Sequence, residues 1–591
     1  MSVVAQVKQA TSQAIKDLYG LDLFPSEILV NATKPEFEGD YTVVLFALVK
    51  QLKLSPDALG QQLGTELLEK NPALFSGFNL IKGFLNLVIT EKYWLDFLQR
   101  HAADEQYGIA QPTGKKVMVE YSSPNTNKPL HLGHLRNNFL GRSIAEILKA
   151  TGHEVVKTCI VNDRGIHICK SMIAWQLFAN GTTPATTHTK GDHFVGDYYV
   201  RFNDEYKKQV DALKAAGKTT EEAEKEAPVM RAAQQMLLDW EAGKPEVMQL
   251  WRDMNGWVYE GFQATYQRIG SDFNKTYYES NTYLLGKDLV NMGLEKGVFY
   301  QKDDGSVWID LTADGLDEKL VRRKDGTSVY ITQDIGLAEQ KQQEFHADQS
   351  IYVVGDEQNY HFKVLKLICQ KLGLPSADGI YHLSYGMVEL PTGKMKSREG
   401  TVVDADDLVD EMVSIAKQKT EELGKVRDFT DMELTGLYDT IGLGALKFFL
   451  LRVDPKKKMV FNPEESIDFH GFTGPFVQYT HARIRSILRK AECDTIGDAG
   501  EGLLPLERAL AIHLEMFPVV LRDAADEHDP SKVAIYVFNL AKTFNSFYTE
   551  HSIANAESNE KKTLRLQLAR LTSQTISTGM GVLGITVPER M

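Results

Sequence analysis

Cysteine is scarce in this chain. Cys159, Cys169, Cys369 and Cys493 form no CxxC among 591 residues, which argues against a zinc ribbon and against a disulfide framework. Long apolar runs are lacking too. Nothing approaches the roughly 20 residues of a membrane span, and the opening MSVVAQVKQATSQ has no secretory apolar region, so a cytoplasmic location is expected. Positive charge is outnumbered, with 66 Lys and Arg against 80 Asp and Glu, a net of −14. Net charge is not local charge. Lys456-Lys457-Lys458 and Arg483, Arg485, Arg489, Lys490 can make basic tracks on an acidic body, and a cationic ligand would need acidic groups nearby, so the balance excludes neither partner.

What the chain does have is a 43% hydrophobic content over a length that suits several domains. Its most informative stretch runs from Glu120 to Ser143, EYSSPNTNKPLHLGHLRNNFLGRS. Lys116 to Tyr121 alternates like a strand, and Ser123-Pro124 forces an extended exit. Leu140, Ile144, Ile147 and Leu148 then form one helical apolar stripe that Gly152 ends, and Val155 to Val161 reads as a second strand. The order fits one βαβ unit, with His131-Leu132-Gly133-His134 where strand gives way to helix. Unpaired N–H groups and a partial positive charge make such a helix start a natural place for a triphosphate. Two histidines three apart lie on one side of the first turn and can donate to phosphate oxygens, while Gly133 lets a flat ring approach the backbone.

HLGH resembles the HIGH signature of class I aminoacyl-tRNA synthetases, and SSPNTNKPLHLGHLRNNFLG resembles its arginyl-tRNA synthetase version. Other points of likeness are EGDY, GFLN, TQDIG, EQNYH, GMV with MKSREGT, GPFVQYTHAR, FNSFY and the terminal PERM. The resemblance implies three parts: a small N-terminal α/β domain over 1–112, a Rossmann-like parallel-sheet catalytic domain over 113–430 with a connective insertion at about 178–325, and a C-terminal helical anticodon-binding bundle over 431–591. It implies ATP with magnesium, L-arginine and tRNA(Arg) as substrates, no protein-bound structural metal, and a monomer.

Within the first part the pattern predicts helices at Val4–Leu18, Val43–Leu54 and Pro56–Leu68, and a strand pair in Phe78–Thr90. By resemblance, Phe84 and Asn86 of Gly83-Phe84-Leu85-Asn86 meet the outer corner of the tRNA, the aromatic to stack on a splayed base and the amide to bond it. Asn162-Asp163-Arg164-Gly165 lies at a ligand-collecting sheet edge, and His167 takes a position where class I relatives often carry Gln; no role is assigned to it. Long charged helices are expected at Asp204–Lys218, Thr219–Ala242 and Trp251–Gly270, with no editing-type motif.

The sheet is expected to resume at Ser328–Ile331, and Tyr330 to Gly336 matches the family's amino-acid pocket. A guanidinium has five planar donors and no acceptor, so a specific pocket needs a carboxylate, a role that suits Asp334. Resemblance adds Tyr330, Gln358, Glu120, Ser122 and Asn125, with Glu120 and Asn125 toward the substrate's α-amino and carboxylate ends. Ile351–Val354 reads as a buried strand leading into Gly355-Asp356-Glu357 and a helix to Leu372; the resemblance implies Gly355, Glu357 and His361 near the ATP ribose, and Gly386, Met387 and Val388, which close the strand-like run from Ile380, along the adenine. Lys394, Lys396 and Arg398 correspond to the KMSKS clamp, whose cations neutralise the departing pyrophosphate. Its second lysine is Ser397 here, and Lys128, three residues before His131, is the substitute that the resemblance implies.

Beyond Asp431 the pattern is helical, including Ile441–Val453 and a helix from Gly474 whose His481, Arg485 and Arg489 recur as a basic stripe opposite Val477, Ile484 and Ile487. The resemblance makes Tyr479, Arg485, Tyr548 and Met591 the anticodon-side candidates. A small-molecule nucleotidyltransferase would share HxGH but needs no further domains. A non-catalytic tRNA-binding paralogue would have lost motif residues, and a cysteinyl enzyme would carry zinc ligands.

Overall fold

The computed structural model describes residues 2–34, 36–389, 391, 403–424, 428–491 and 502–591. Helix α1 (Val3–Tyr19) starts where the Ser2 hydroxyl accepts the Ala5 N–H and stops at Gly20 in the left-handed region. It packs with the neighbouring α3 (Pro56–Lys70) on an antiparallel sheet of order β1 (Val30–Ala32), β2 (Tyr41–Val44), β4 (Phe84–Ile89), β3 (Phe75–Ile81). The helix expected over Val43–Leu54 is shorter. Val43 belongs to β2, whose Thr-Val-Val run pairs with β4, and α2 spans Phe46–Leu52. Helix α4 (Glu91–His101) completes this part.

The second part is built on β5 (Lys116–Glu120), α5 (Leu132–Ala150) and β6 (Glu154–Val161), with the two strands parallel as the pattern predicted. After α6 (Ile166–Phe178) come the insertion helices α7 (Gly191–Ala215), α8 (Thr220–Glu226), α9 (Pro228–Glu241) and α10 (Pro245–Ile269). The single helix expected at Thr219–Ala242 is two, because Ala227 precedes Pro228 and is held out of the helical region. Strand β7 (Lys275–Tyr278) then pairs parallel with β6, inside the stretch read as insertion. A small antiparallel sheet follows: β8 (Tyr300–Gln301), β9 (Val307–Ile309) and β10 (Lys319–Arg322).

Ser328–Ile331 is not a strand. Tyr330 opens α11 (Tyr330–Phe345), in which Ile331, Ile335 and Ala338 are buried at i, i+4 and i+7, a helical period that the short apolar pair Val329, Ile331 concealed. Strand β11 (Gln349–Gly355), helix α12 (Asn359–Leu372) and strand β12 (Ile380–Tyr385) finish a five-stranded, all-parallel sheet of order β12-β11-β5-β6-β7. The first of these five strands in chain order, β5, is thus central, and α5 leaves it at the carboxyl edge where open parallel sheets bind ligands.

Two-residue strand β13 (Val388–Glu389) pairs with β14 (Met459–Val460) across α13 (Ala405–Leu423) and α14 (Asp431–Leu451). Among the described residues α14 is the one helix long and apolar enough to cross a membrane, and 67% of that window is buried inside the fold, so here it is a core helix. The rest is a bundle of α15 (Gly474–Lys490), α16 (Pro505–Glu515), α17 (Phe517–Glu527), α18 (Ser531–Glu550) and α19 (Asn559–Val582). The N-terminal part docks on this bundle: Arg508 donates to both oxygens of Asp40 at 2.8 and 2.5 Å, the Tyr107 hydroxyl donates to Leu514 O at 2.8 Å, and the Val3 N–H donates to Glu515 at 2.6 Å.

Candidate active site

The sequence of α5 makes its own helix start. His131 is the extended N-cap residue; its Nδ1 accepts the Gly133 N–H at 3.1 Å, and His134 Nδ1 accepts the His131 N–H at 3.2 Å. With both Nδ1 atoms accepting, the hydrogen of each neutral ring is on Nε2, the nitrogen left to donate. The ring centroids are 3.9 Å apart. Burial, with the Lys128 ammonium adding to it, pushes the His131 pKa down to about 3, and burial together with His131 holds His134 well below its ordinary value. Both rings are neutral donors at pH 7. A Cβ on Gly133 would stand 3.0 Å from His131 Cε1, so the glycine also lets the ring fold back on the cap.

Lys128 and His131 share the wall of a cavity of about 290 Å³, and burial lowers the lysine's pKa. Further along, at the carboxyl ends of β5, β6 and β7, is a larger cavity of about 800 Å³. It brings together Asn125, Tyr330 and Asp334, as the sequence suggested, and adds Gln333, Glu279 and Arg164. Glu279 is raised in pKa by burial, and Asp334 is among the charges that raise it, so two carboxylates feel each other there. Arg164 is balanced by Glu241 at 3.1 Å and lies 4.0 Å over the Tyr283 ring. Glu279 was missed because β7 was missed; the β-rich run KTYY ending in an acidic residue was the available signal.

Three predicted pocket residues are placed elsewhere. The Glu120 carboxylate is buried and paired with Lys341, with the Thr158 hydroxyl 3.4 Å away. Ser122 is fully buried in a left-handed conformation (φ 59°), its N–H donating to Asn137 Oδ1 at 2.6 Å and its hydroxyl 2.7 Å from that of Tyr266. Gln358 is exposed in the turn after β11, outside the cavity wall.

The nucleotide-edge candidates form a connected strip. Gly355 ends β11, Glu357 is exposed in the next turn, and His361, in the first turn of α12, places Nε2 2.7 Å from Asp334 Oδ2, which links the two predicted subsites. The Gly386 N–H donates to Pro455 O at 2.9 Å, and a Cβ there would lie 2.7 Å from the Lys457 backbone. Met387 O accepts the Met459 N–H at 3.2 Å and Val388 pairs with Met459, so this strip rests on residues 455–460. Arg136 of α5 donates to Pro455 O and Lys457 O at 3.1 and 2.9 Å, binding the same segment to the motif helix. Lys394, Lys396 and Arg398 lie outside the described residues. Just after them, Val403 O accepts the Leu132 N–H at 3.1 Å and the Ala405 N–H donates to Leu130 O at 3.0 Å, a bridge that pairs Asp404 with His131.

In the N-terminal part Phe84 is 38% exposed and meets Phe46 edge-on at 5.2 Å, an accessible aromatic surface. Asn86 does not share it. The side chain is buried, its oxygen accepts the Thr42 hydroxyl at 2.6 Å, and it packs on Gly39, so the amide expected to bond a base is inside the sheet. The stripe on α15 is open only in part: His481 is buried against Pro588 O at 3.0 Å, while Arg485 and Arg489 stay accessible to solvent and donate to Glu589, at 2.7 Å to its carboxylate and 2.9 Å to its carbonyl. The chain's own tail buries the histidine and pairs with the two arginines. Tyr479 lies under Arg483 at 4.9 Å, Tyr548 stacks on Phe544 at 6.1 Å, and Met591 is partly buried. Asn545 joins their helices, donating to the Thr480 hydroxyl and accepting from Arg483.

A doubly flanked parallel sheet, a histidine-capped helix at its central carboxyl edge and a following helical bundle define a class I aminoacyl-tRNA synthetase architecture. Comparison with known proteins narrows this. Residues 98–462 match the family model for tRNA synthetases class I (R), catalytic domain; residues 5–89 match the arginyl tRNA synthetase N terminal domain; residues 477–591 match the DALR anticodon binding domain. The arginine–tRNA ligases of Flavobacterium psychrophilum and Bacteroides thetaiotaomicron are 54% and 51% identical to it over 604 and 598 residues, 100% of each chain. The solved arginyl-tRNA synthetase of Thermus thermophilus superposes with a TM-score of 0.81 at 26% identity, covering 99% of both chains. The chain belongs to the arginyl-tRNA synthetase family of class I enzymes.

Proposed function

We propose that the protein activates L-arginine with ATP to arginyl-adenylate and transfers the arginyl group to the 3′ end of tRNA(Arg). The observation that carries this beyond family membership is the cavity that sets Asp334 and Glu279 in one wall, since two carboxylates there suit a cationic side chain. Asp334, Tyr330 and Asn125 take the arginine, with Glu279 as a second acidic wall. The neutral Nε2–H groups of His131 and His134 donate to the α-phosphate region as the arginine carboxylate attacks, Lys128 stabilises charge growing on the pyrophosphate, and magnesium arrives with the triphosphate. Lys394, Lys396 and Arg398 act from the clamp segment. Gly133, Gly355, Glu357, His361, Gly386, Met387 and Val388 line the nucleotide. The groups position and neutralise; none attacks, so no covalent enzyme intermediate forms.

The tRNA lies along the N-terminal and helical parts, with Phe84 toward its outer corner and Tyr479, Tyr548 and Met591 toward the anticodon. Arg485 joins them once Glu589 is displaced. We place the enzyme in the cytoplasm as a monomer. ATP–pyrophosphate exchange with arginine, run with and without tRNA(Arg), tests the reading: exchange should be weak alone and rise with tRNA, and charging should be specific for arginine. Charging with a different amino acid refutes the specificity, and full exchange without RNA refutes the tRNA dependence.

A further inference from the structure

The insertion reaches the turn beside the motif helix through a set of charged contacts that none of the roles above uses. Lys190, at the start of α7, places its ammonium 2.6 Å from Asp406 Oδ2, 2.5 Å from the Thr265 hydroxyl of α10 and 3.0 Å from Asp192 Oδ2. His193, one turn on, holds Nε2 3.2 Å from Asp404 Oδ2 and 3.3 Å from Asp406 Oδ2. Arg268 of α10 pairs with Asp410 at 2.5 Å. The opening of α13 is thus gripped by two insertion helices.

Asp404 has three tasks. Its backbone pairs with His131, flanked by the two hydrogen bonds that join 403–405 to 130–132. Its Oδ1 caps α13, accepting the Asp406 and Asp407 N–H groups at 2.8 and 3.2 Å. Its Oδ2 faces His193 Nε2 at ion-pair distance, without the alignment of a hydrogen bond, so the attraction between them is one of charge. Asp404 and Asp406 push the His193 pKa up to about 10, so the ring is an imidazolium at neutral pH, and it offsets the repulsion of Asp404, Asp406 and Asp407 crowded on one turn. Among the described residues Asp192, His193 and Asp406 are the group of side chains close enough to share a metal ion, but the Lys190 ammonium already stands on two of them.

We propose that His193 is a positioning residue for His131, acting through Asp404 so that the insertion fixes where the first motif histidine stands against the triphosphate. The idea rests on the adenylate reaction proposed above. His131 has its Nδ1 committed to its own cap, so its Nε2 direction follows the backbone of 130–132, and that backbone is zipped to 403–405. Loss of the imidazolium leaves Asp404 pulled only by the cap, and small displacements of a transition-state donor are costly in rate.

The test is pyrophosphate exchange with tRNA present, on the full chain, for His193→Ala, His193→Lys, Asp404→Asn and the Ala/Asn double variant. Asp404→Asn keeps the capping oxygen and loses the charge. We expect His193→Ala and Asp404→Asn each to lower kcat about tenfold or more with arginine KM within about twofold, His193→Lys to recover most of the loss, and the double variant to be no slower than either single. Undiminished kcat in His193→Ala overturns the proposal, as do multiplying losses in the double variant or a rise in arginine KM that matches the rate loss. Melting temperatures measured alongside separate misplacement from unfolding: a kcat loss that is recovered when the variant is assayed well below its melting point, with no rescue by lysine, also overturns it. If the parent protein shows no exchange with arginine, the underlying reaction fails instead, which is a distinct result.

Discussion

Asp334 already holds a partner, His361 at 2.7 Å, so arginine has to share that carboxylate or displace the imidazole from it. Removing a carboxylate from a charge-assisted pair costs about 2–5 kcal/mol, and Asp334→Asn should therefore raise the arginine KM about a hundredfold or more. Steady-state kinetics with arginine and ATP varied separately decides this, since an equal rise in ATP KM would move Asp334 from the amino-acid pocket to the nucleotide side. Lys128 makes a second residue-level case. Its charge is already felt by His131, and a missing cation at a dry phosphate site costs on the order of 3 kcal/mol. Lys128→Ala should slow adenylate formation about a hundredfold with tRNA affinity little changed, read by single-turnover exchange and filter binding. The places of His131, Asp334 and Asn125 at the sheet's ligand edge were legible because a short string fixes local geometry. Glu120, Ser122 and Asn86 were not, because what decides each is a partner far along the chain: Lys341, Tyr266 and Thr42. Sequence shows a side chain's capacity to bond, and only the fold shows what has already used it.

At the scale of elements, periodicity served wherever a segment was long or strictly alternating. β5, α5 and β6 were readable for that reason, as was α15 with its Gly-Pro opening. Short segments misled in both directions. Tyr330–Ile331 looked like a strand because two apolar residues cannot show a helical period, and β7 was hidden because four residues at the end of a long helical stretch do not announce a sheet. The stripe on α15 is periodic as read, with Arg485 and Arg489 accessible to solvent but His481 buried. Periodicity tells which face differs from the rest; it cannot tell that Pro588 returns to bury its histidine and Glu589 to pair with its arginines. The insertion shows the same limit, since nothing in a charged helix reveals that Lys190 and His193 aim at the turn beside the motif.

On the scale of the whole molecule, the N-terminal part is held to the helical bundle by contacts that include a buried acid. Glu515 accepts from Val3 N–H, and burial raises its carboxyl from 4.5 to about 7. The fold therefore favours the protonated form. The penalty for carrying a carboxylate there is absent below about pH 4.5, grows as pH rises toward 7 and is constant above. Glu515→Gln keeps an acceptor for Val3, so it should be more stable than the parent at pH 8 by on the order of 1–3 kcal/mol and nearly equal to it at pH 5. Melts at the two values check this, and a variant that loses stability at pH 8 would show the carboxylate to be favourable.

Arg136 gives the fold a clock. The helix bearing both motif histidines leaves the ribosome with a guanidinium whose acceptors, the carbonyls of Pro455 and Lys457, lie 319 and 321 residues downstream. At about 5–20 residues per second, translation takes on the order of tens of seconds to deliver them. Until the chain has been made as far as residue 457 this guanidinium lacks its two carbonyl acceptors, so the motif helix cannot reach its final seat when its own βαβ unit is complete, and the pace of synthesis sets the earliest moment at which it can.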